Sequence, residues 1–386
     1  MKKTMKTLLA GASALGLAST AVLSSAGSAD ATTLRFAGGW PPGATPSQIV
    51  EEFAAALGEA SDGEVSMRFF PLSLLNFAES NAGVRDGVAD MTFNLMAYFP
   101  ADFPNINMAS EFSQIAELEQ FAGELSSTAF AGAINEFVML HCPACLEEVA
   151  EQNQLFLGGL STTTYALQCM MPLETAEDLE GKRIRAGGAF WSRWIESVGA
   201  TPVSMSINEA LEALNQGVVD CTASNTADFV NFGLIDVVRH VHVGLPGAQF
   251  VAPITINLDS WRDLSDAGRE AVLRFSSDIG ANITWAYIEE ARLGVERAPD
   301  LGIEYGTVSQ ELLDLNASLI EADLELVANV YQERFGITDG DEVSAKLFEL
   351  MERWTELTRD VASGEDLAEI FYEEIYSRLD RDTFGM

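Results

Sequence analysis

The sequence predicts an α/β protein of two lobes with a helical C-terminal segment, and three observations carry that expectation. Strand-like and helix-like stretches alternate through the first two thirds of the chain, the pattern of a layered α/β domain with largely parallel strands. At 386 residues the chain is longer than one hydrophobic core usually supports. After Asn257 the apolar residues recur at helical spacing alone.

The elements follow in order. Thr33–Ala37 alternates as a strand and runs into the breaker cluster Gly38–Gly43. Ile49, Val50, Phe53, Ala54 and Leu57 then give Ser47–Ala60 one apolar helical face. A second strand, Val65–Phe70, ends at Pro71; a helix is expected at Ser80–Asp86, a strand at Met91–Asn94, and mostly helix over Gln114–Val138. Short strands are expected at Gln154–Gly158, Tyr165–Cys169, Arg183–Ala186, Pro202–Ser204 and Val219–Ala223, with helices at Trp191–Ser197 and Ile207–Gln216. Gln249–Asn257 is a further apolar strand, and helices follow at Leu264–Ala291, Gln310–Phe335, Val343–Asp360 and Leu367–Leu379. Leu347, Leu350 and Trp354 fall on one face, as a core stripe does.

Lys2, Lys3 and Lys6, the apolar run Leu8–Leu23 and the Ala29-Asp30-Ala31 triplet have the layout of an export signal. Residues 1–31 are therefore expected to be a cleavable signal peptide, with the mature chain in the periplasm. No later segment approaches the ~20 consecutive apolar residues of a membrane span, so no membrane insertion of the mature chain is expected. The formal charge of -36 makes nucleic acid and anionic membranes poor partners. Beyond the signal only Lys182 and Lys346 remain as lysines, a composition that suits saline surroundings.

Four cysteines in an exported chain imply disulfides, and they allow three pairings that sequence alone does not choose between. The preferred set is Cys169 with Cys221, which lie in strand-like runs, and Cys142 with Cys145. Cys142-Pro-Ala-Cys145 with His141 also admits a redox or metal reading, but no second pair stands at zinc spacing. His240 and His242 are two apart on one strand face, with no third ligand evident. No cofactor and no metal are expected.

The most informative stretch is Leu173–Asn225. It holds the polar turn and basic strand Asp178-Leu-Glu-Gly-Lys-Arg-Ile-Arg185, then Gly199-Ala-Thr-Pro-Val203 and Leu214-Asn-Gln-Gly-Val-Val-Asp220. With Leu34–Ala37, Gly63–Pro71 and Val84–Met91, it resembles the extracytoplasmic solute-binding proteins of TRAP (tripartite ATP-independent periplasmic) transporters, over roughly residues 33 to 290. The resemblance implies a two-lobe periplasmic binding protein fold with a central cleft, joined by crossing strands and a long shared helix. By that analogy, lobe one takes 32–162 and 248–292, and lobe two takes 163–247 and 293–386. It implies a monomer that closes on a small organic acid and presents it to TRAP membrane permease subunits.

Arg185 aligns with the family arginine that typically forms a two-pronged salt bridge with the solute carboxylate. The physics agrees, since an enclosed carboxylate is costly unless paired and a guanidinium offers two parallel donors. Arg183, two residues earlier, is expected on the opposite strand face, solvated beside Glu180 or Asp178. Many family members carry a second arginine twenty residues earlier, where this chain has Tyr165, a hydrogen-bond donor or stacking surface instead. Further cleft candidates come from loops that follow strands: Trp40, Asn94, Phe190, Trp191, Ser224 and Asn225. Asp220 is read as structural.

Two other classes compete. A closing receptor can report to a signalling protein rather than a permease, and a periplasmic enzyme acting on a small acid is the third reading. Against the enzyme, the three histidines form no nucleophile constellation, and Gly187-Gly188 lacks the spacing of a phosphate loop.

Overall fold

The computed structural model describes residues 31–386; the expected signal peptide, 1–31, falls almost wholly outside them. The first sheet holds β1 (Thr32–Gly38), β2 (Val65–Pro71), β3 (Met91–Phe93), β4 (Gln154–Ser161) and β10 (Val251–Asn257) in the order β2-β1-β3-β10-β4. The second holds β5 (Ala166–Cys169), β6 (Arg183–Ala186), β7 (Thr201–Ser204), β8 (Cys221–Ser224), β9 (His240–Pro246) and β11 (Glu304–Tyr305) in the order β11-β9-β5-β8-β6-β7. Each sheet is the centre of one lobe of a two-lobe binding-protein fold.

The expectation of largely parallel strands needs correction. β1 is parallel to β2 and β3, and β6 to β7 and β8, but β10 is antiparallel to β3 and β4, and β5 to β8 and β9. The exceptions are the strands that cross between lobes: β4 leads into β5, and β9 returns into β10. The crossing segments bond to each other, Thr162 N to Phe250 O at 2.9 Å and Tyr165 N to Ala248 O at 2.9 Å. Glu117 ties them from below, its Oε1 accepting from Thr164 Oγ1 at 2.8 Å and Ala248 N at 3.2 Å.

Local sequence accounts for most element ends. Leu34 and Phe36 alternate inward along β1 while Arg35 turns out to Asp90. The helix Thr45–Ala60 has proline in its first turn and buries Val50, Ala54 and Leu57. Ser206, Ser265 and Ser309 each cap a helix by accepting a backbone N–H in its first turn. The single mostly helical stretch expected over Gln114–Val138 is broken: a 3-10 segment, Phe112–Glu117, ends at a turn, and the helix begins again at Ser126–Glu136. The helices Pro104–Glu111 and Pro143–Glu151 were not anticipated, and of β9 only the start, at His240–His242, was read as strand. Cys142–Cys145 and Cys169–Cys221 are bonded, the latter joining directly opposed residues of β5 and β8.

The C-terminal helices correct the lobe grouping. Residues 293–386 were assigned to lobe two, but the helices Gly340–Leu357 and Gly364–Glu374 pack on the first lobe. Trp354 lies over Gly132, its Nε1 donating to Glu136 Oε2 at 2.7 Å, and Ser277 Oγ in the helix Asp266–Arg297 donates to Ala368 O at 3.1 Å. Tyr376 Oη reaches Leu157 O in β4 at 2.7 Å. The apolar stripe was legible, but not the surface it covers. The helix Gln310–Phe335 makes the transfer: Asn316 holds Trp194 of the second lobe, and Tyr331 reaches Glu111 of the first. Among the described residues no single helix is long and apolar enough to cross a membrane.

A Cβ on Gly132 would come within 2.1 Å of the Trp354 indole. Gly132→Ala is therefore expected to cost about 1–3 kcal/mol in denaturant unfolding; an unchanged midpoint would contradict the seating of the Gly340–Leu357 helix on Ser126–Glu136.

Candidate functional site

β6 and β8 run parallel and end at the same edge of the second sheet, while antiparallel β5 begins there. That topology gathers Arg185, Ser224 and Asn225 with Tyr165, although they are up to 60 residues apart in sequence. Arg185 is 1 % exposed. Its Nε donates to Met205 O at 3.0 Å and its Nη1 to Ala223 O at 3.3 Å, contacts that fix the plane of the guanidinium. Nη2 donates to Tyr98 Oη of the first lobe at 2.9 Å. The guanidinium rests on Gly187, where a Cβ would stand 3.0 Å from Nη2.

Tyr98 closes the site from the opposite lobe. Its hydroxyl oxygen also accepts from Ile207 N at 3.0 Å, so one oxygen bridges Arg185, the start of the helix Ile207–Asn215 and the first lobe. Asn208 adds a second bridge, donating to Gly39 O at 2.8 Å and accepting from Phe77 N at 3.2 Å. Beside Tyr98 opens a cavity of about 620 Å³ whose walls include Gly187, Ser192, Arg193, Tyr331 and Arg334.

Tyr165 is buried and stacks on Trp191 with ring centroids 4.4 Å apart, and both rings lie nearly parallel to Phe250. Burial pushes the Tyr165 hydroxyl well above its usual pKa, with Arg185 acting the other way. Trp191 Nε1 donates to Gly247 O at 3.0 Å, anchoring the stack to the crossing segment. Phe190 and Trp191 also wall a pocket of about 30 Å³ next to the larger cavity. Ser224 Oγ and the Asn225 carbonyl both accept from Gln168 Nε2, at 2.9 and 2.7 Å, while the buried Asn225 Oδ1 has no protein partner.

The remaining candidates fall elsewhere. Asn94 accepts from Ser80 Oγ at 3.2 Å and donates to Gln154 Oε1 at 3.1 Å. It belongs to a buried polar network of the first sheet, not to the cleft as expected. Trp40 is a core ring, edge-on to Phe77 and Phe93, with Nε1 on Tyr287 Oη at 3.1 Å. Arg183 pairs with Asp220 at 2.8 Å rather than with Glu180 or Asp178; Asp178 instead accepts the Glu174 and Thr175 N–H groups. Arg183 and Arg185 share a strand face, where opposite faces were expected, because side chains two residues apart on a strand point the same way; Arg183 reaches solvent at the start of β6 and Arg185 the lobe junction near its end. His240 turns to Glu304 at 3.2 Å, and His242 Nε2 accepts from Leu173 N at 3.2 Å. No cluster of metal-binding side chains occurs among the described residues.

Sequence reasoning missed three contributors. Tyr98 and Phe250 lie in stretches with no polar signature. Asp228 is the third: it opens the short helix Asp228–Asn231, is 3 % exposed, and burial pushes its carboxyl up to about 7 against the opposing pull of Arg185. An acid in the otherwise neutral run Ser224–Val230 was the available signal. A charged junction also went unread: Arg193 pairs with Glu111 at 2.5 Å and with Asp323 at 2.6 Å, joining both lobes to the shared helix.

Comparison with known proteins places this geometry. Residues 36–314 match the family DctP, bacterial extracellular solute-binding protein, family 7. A solute-binding protein of Albidiferax ferrireducens is 20% identical over 317 residues, 79% of this chain and 85% of the relative. A marine metagenome TRAP solute-binding protein specific for aromatic acids, in complex with metahydroxyphenylacetate, superimposes with a TM-score of 0.71 at 19% identity, covering 84% of this chain and 99% of its own. The Bordetella pertussis extracytoplasmic solute receptor DctP7, which binds pyroglutamic acid, gives 0.66 at 16% identity, covering 83% and 100%. These structures share the two-lobe fold, and since the family match spans most of the chain, the protein belongs to the DctP family of TRAP extracytoplasmic solute-binding proteins.

Proposed function

We propose that the protein captures a small organic acid between its lobes, with the solute carboxylate on Arg185, and delivers it to the membrane subunits of a TRAP transporter. The observation that carries this reading is the enclosed guanidinium. Arg185 is bonded to two backbone carbonyls and a tyrosine hydroxyl, all neutral acceptors, so these contacts orient its charge without neutralising it. Tyr98 Oη already accepts from both Arg185 and Ile207, and a carboxylate entering from the neighbouring cavity would take over its place on Nη2. The structural neighbours that bind pyroglutamate and aromatic acids support a carboxylate ligand, and the Tyr165–Trp191 stack supports a flat or apolar flank to it. Closure by lobe movement about the crossing strands would couple capture to presentation. The family match and the structural neighbours are solute-binding receptors, which favours binding over turnover.

Arg185→Ala is expected to weaken solute binding by about 2–5 kcal/mol in calorimetry, because a desolvated charge loses its partner. Equal affinity of variant and parent would remove Arg185 from the site.

The second buried charge has a signature in stability. Asp228 holds its proton up to about 7 in the fold, against 3.8 for an ordinary aspartate. Between those values the native state binds more protons than the unfolded chain, so the stabilisation is complete at the acid end and is lost as pH rises to about 7. The slope is at most ~1.4 kcal/mol per pH unit. Asp228→Asn should flatten this part of the profile relative to the parent; parallel profiles from pH 4 to 7 would exclude the buried carboxyl as its source.

A further inference from the structure

Arg185 and Asp228 are both buried, at 1 % and 3 % exposure, and near enough for the guanidinium to act on the carboxyl. They are carried by adjacent strands: Arg185 on β6 grips Ala223 O of β8, and the turn Ser224–Ala227 leads from β8 straight to Asp228, whose N–H bonds Asn225 O at 3.3 Å. The titratable groups acting on Asp228 from the other elements are Tyr165 before β5, and Tyr287 and Glu290 on the helix Asp266–Arg297. Apart from Arg185 none of the groups acting on Asp228 is a cation, and Glu290 adds negative charge. A plain acid anion brought to Arg185 would therefore put two carboxylates beside one guanidinium in an enclosed site, an arrangement that is strongly unfavourable unless a positive charge or a proton accompanies it.

An independent observation points to what accompanies it. Asn225 is 2 % exposed and its Oδ1 receives no hydrogen bond, although its own carbonyl is engaged by Gln168. A buried acceptor left without a donor is destabilising. Next to Arg185, then, the site offers a buried carboxyl, Asp228, on which the Asn225 and Ser224 side chains act as hydrogen-bond donors, and one acceptor in want of a donor, Asn225 Oδ1.

Resting on the reading of Arg185 above, we propose that the solute is a zwitterion, its carboxylate paired with Arg185 and an N–H-bearing cationic nitrogen received by Asp228 and Asn225 Oδ1. The two ion pairs leave the closed compartment with no net charge. The faces of Tyr165 and Trp191 supply the apolar wall for the carbon skeleton between the charges and favour a cation close by. Asp228 is then the residue that determines specificity, rejecting acids that lack the nitrogen.

The test is calorimetry at pH 8 on solute-stripped protein with matched pairs that differ only in the ammonium: proline against cyclopentanecarboxylate, phenylalanine against 3-phenylpropionate, and 4-aminobutyrate against butyrate. In at least one pair the zwitterion is expected to bind 100-fold or more tightly than the plain acid, without net proton uptake in buffers of different ionisation enthalpy. Asp228→Asn should bring that ratio below tenfold, and Asn225→Ala, a milder change to the fold, should weaken the zwitterion about tenfold and leave the plain acid unchanged. Plain acids that bind as tightly as their partners, through Arg185 and with uptake of about one proton, would overturn the zwitterion and leave the carboxylate site standing. Binding that survives Arg185→Ala, or silence from every pair, would overturn both.

Discussion

The closed form of this protein depends on how a guanidinium is kept out of water. Arg185 is too large and too polar to be buried without acceptors, and the edge where β6, β7 and β8 end provides them as the carbonyls of Met205 and Ala223. Those carbonyls belong to the backbone, so the orientation of Arg185 is fixed by sheet topology and not by a side chain that rotates. The third acceptor, Tyr98 Oη, comes from the other lobe. Opening the lobes therefore removes a partner from Arg185, and closing them restores it. On the proposed reading, the binding charge would itself be part of the closure.

The rest of the junction is polar in the same way. Asn208 bonds Gly39 and Phe77, and Arg193 joins Glu111 and Asp323, with Gln114 Nε2 adding a bond to Asp323 at 2.7 Å. Burial raises the Glu111 carboxyl, and Arg193 opposes that shift. Charged and amide contacts of this kind exchange for water on opening at modest net cost, unlike a contiguous apolar seam. The apolar core lies within the lobes, under the two sheets and along the Ser126–Glu136 and Asp266–Arg297 helices. Rigid lobes and an exchangeable junction are what a receptor that opens and closes requires.

The residues show where sequence reading succeeds and where it stops. Strand β1 and the helix Gln310–Phe335 were readable because period and caps are local properties, and the exported compartment implied disulfides whose preferred pairing is the one present, although spacing alone admitted two others. The parallel bias failed at β4, β5, β9 and β10 because crossing strands look like any other strands until their partners are known. Trp354 was legible as a core residue, yet its target, Gly132, lies 222 positions away and carries no side chain to mark it. In the site, Arg185 stood out as a cation in an acidic chain. Asn94 and Trp40 follow strands as cleft residues do, but their partners turn them inward. Tyr98 and Asp228 contribute only through their distance to Arg185 in space, which no spacing in the sequence encodes.

The charge of the whole molecule bears on the same site. At -36 the protein repels a free acid anion at long range, whereas a zwitterion experiences almost no net force at that distance. Salt alters this balance, since the screening length is ~8 Å at physiological ionic strength and ~3 Å at 1 M. An acidic, lysine-poor surface thus slows the approach of anions at low salt and leaves that of zwitterions nearly unchanged. Within the cleft the local charges take over, because the compartment around Arg185 is closed to the screening ions. The long-range field and the enclosed pair Arg185 and Asp228 therefore discriminate in the same direction, against solutes that bring a negative charge without a positive one.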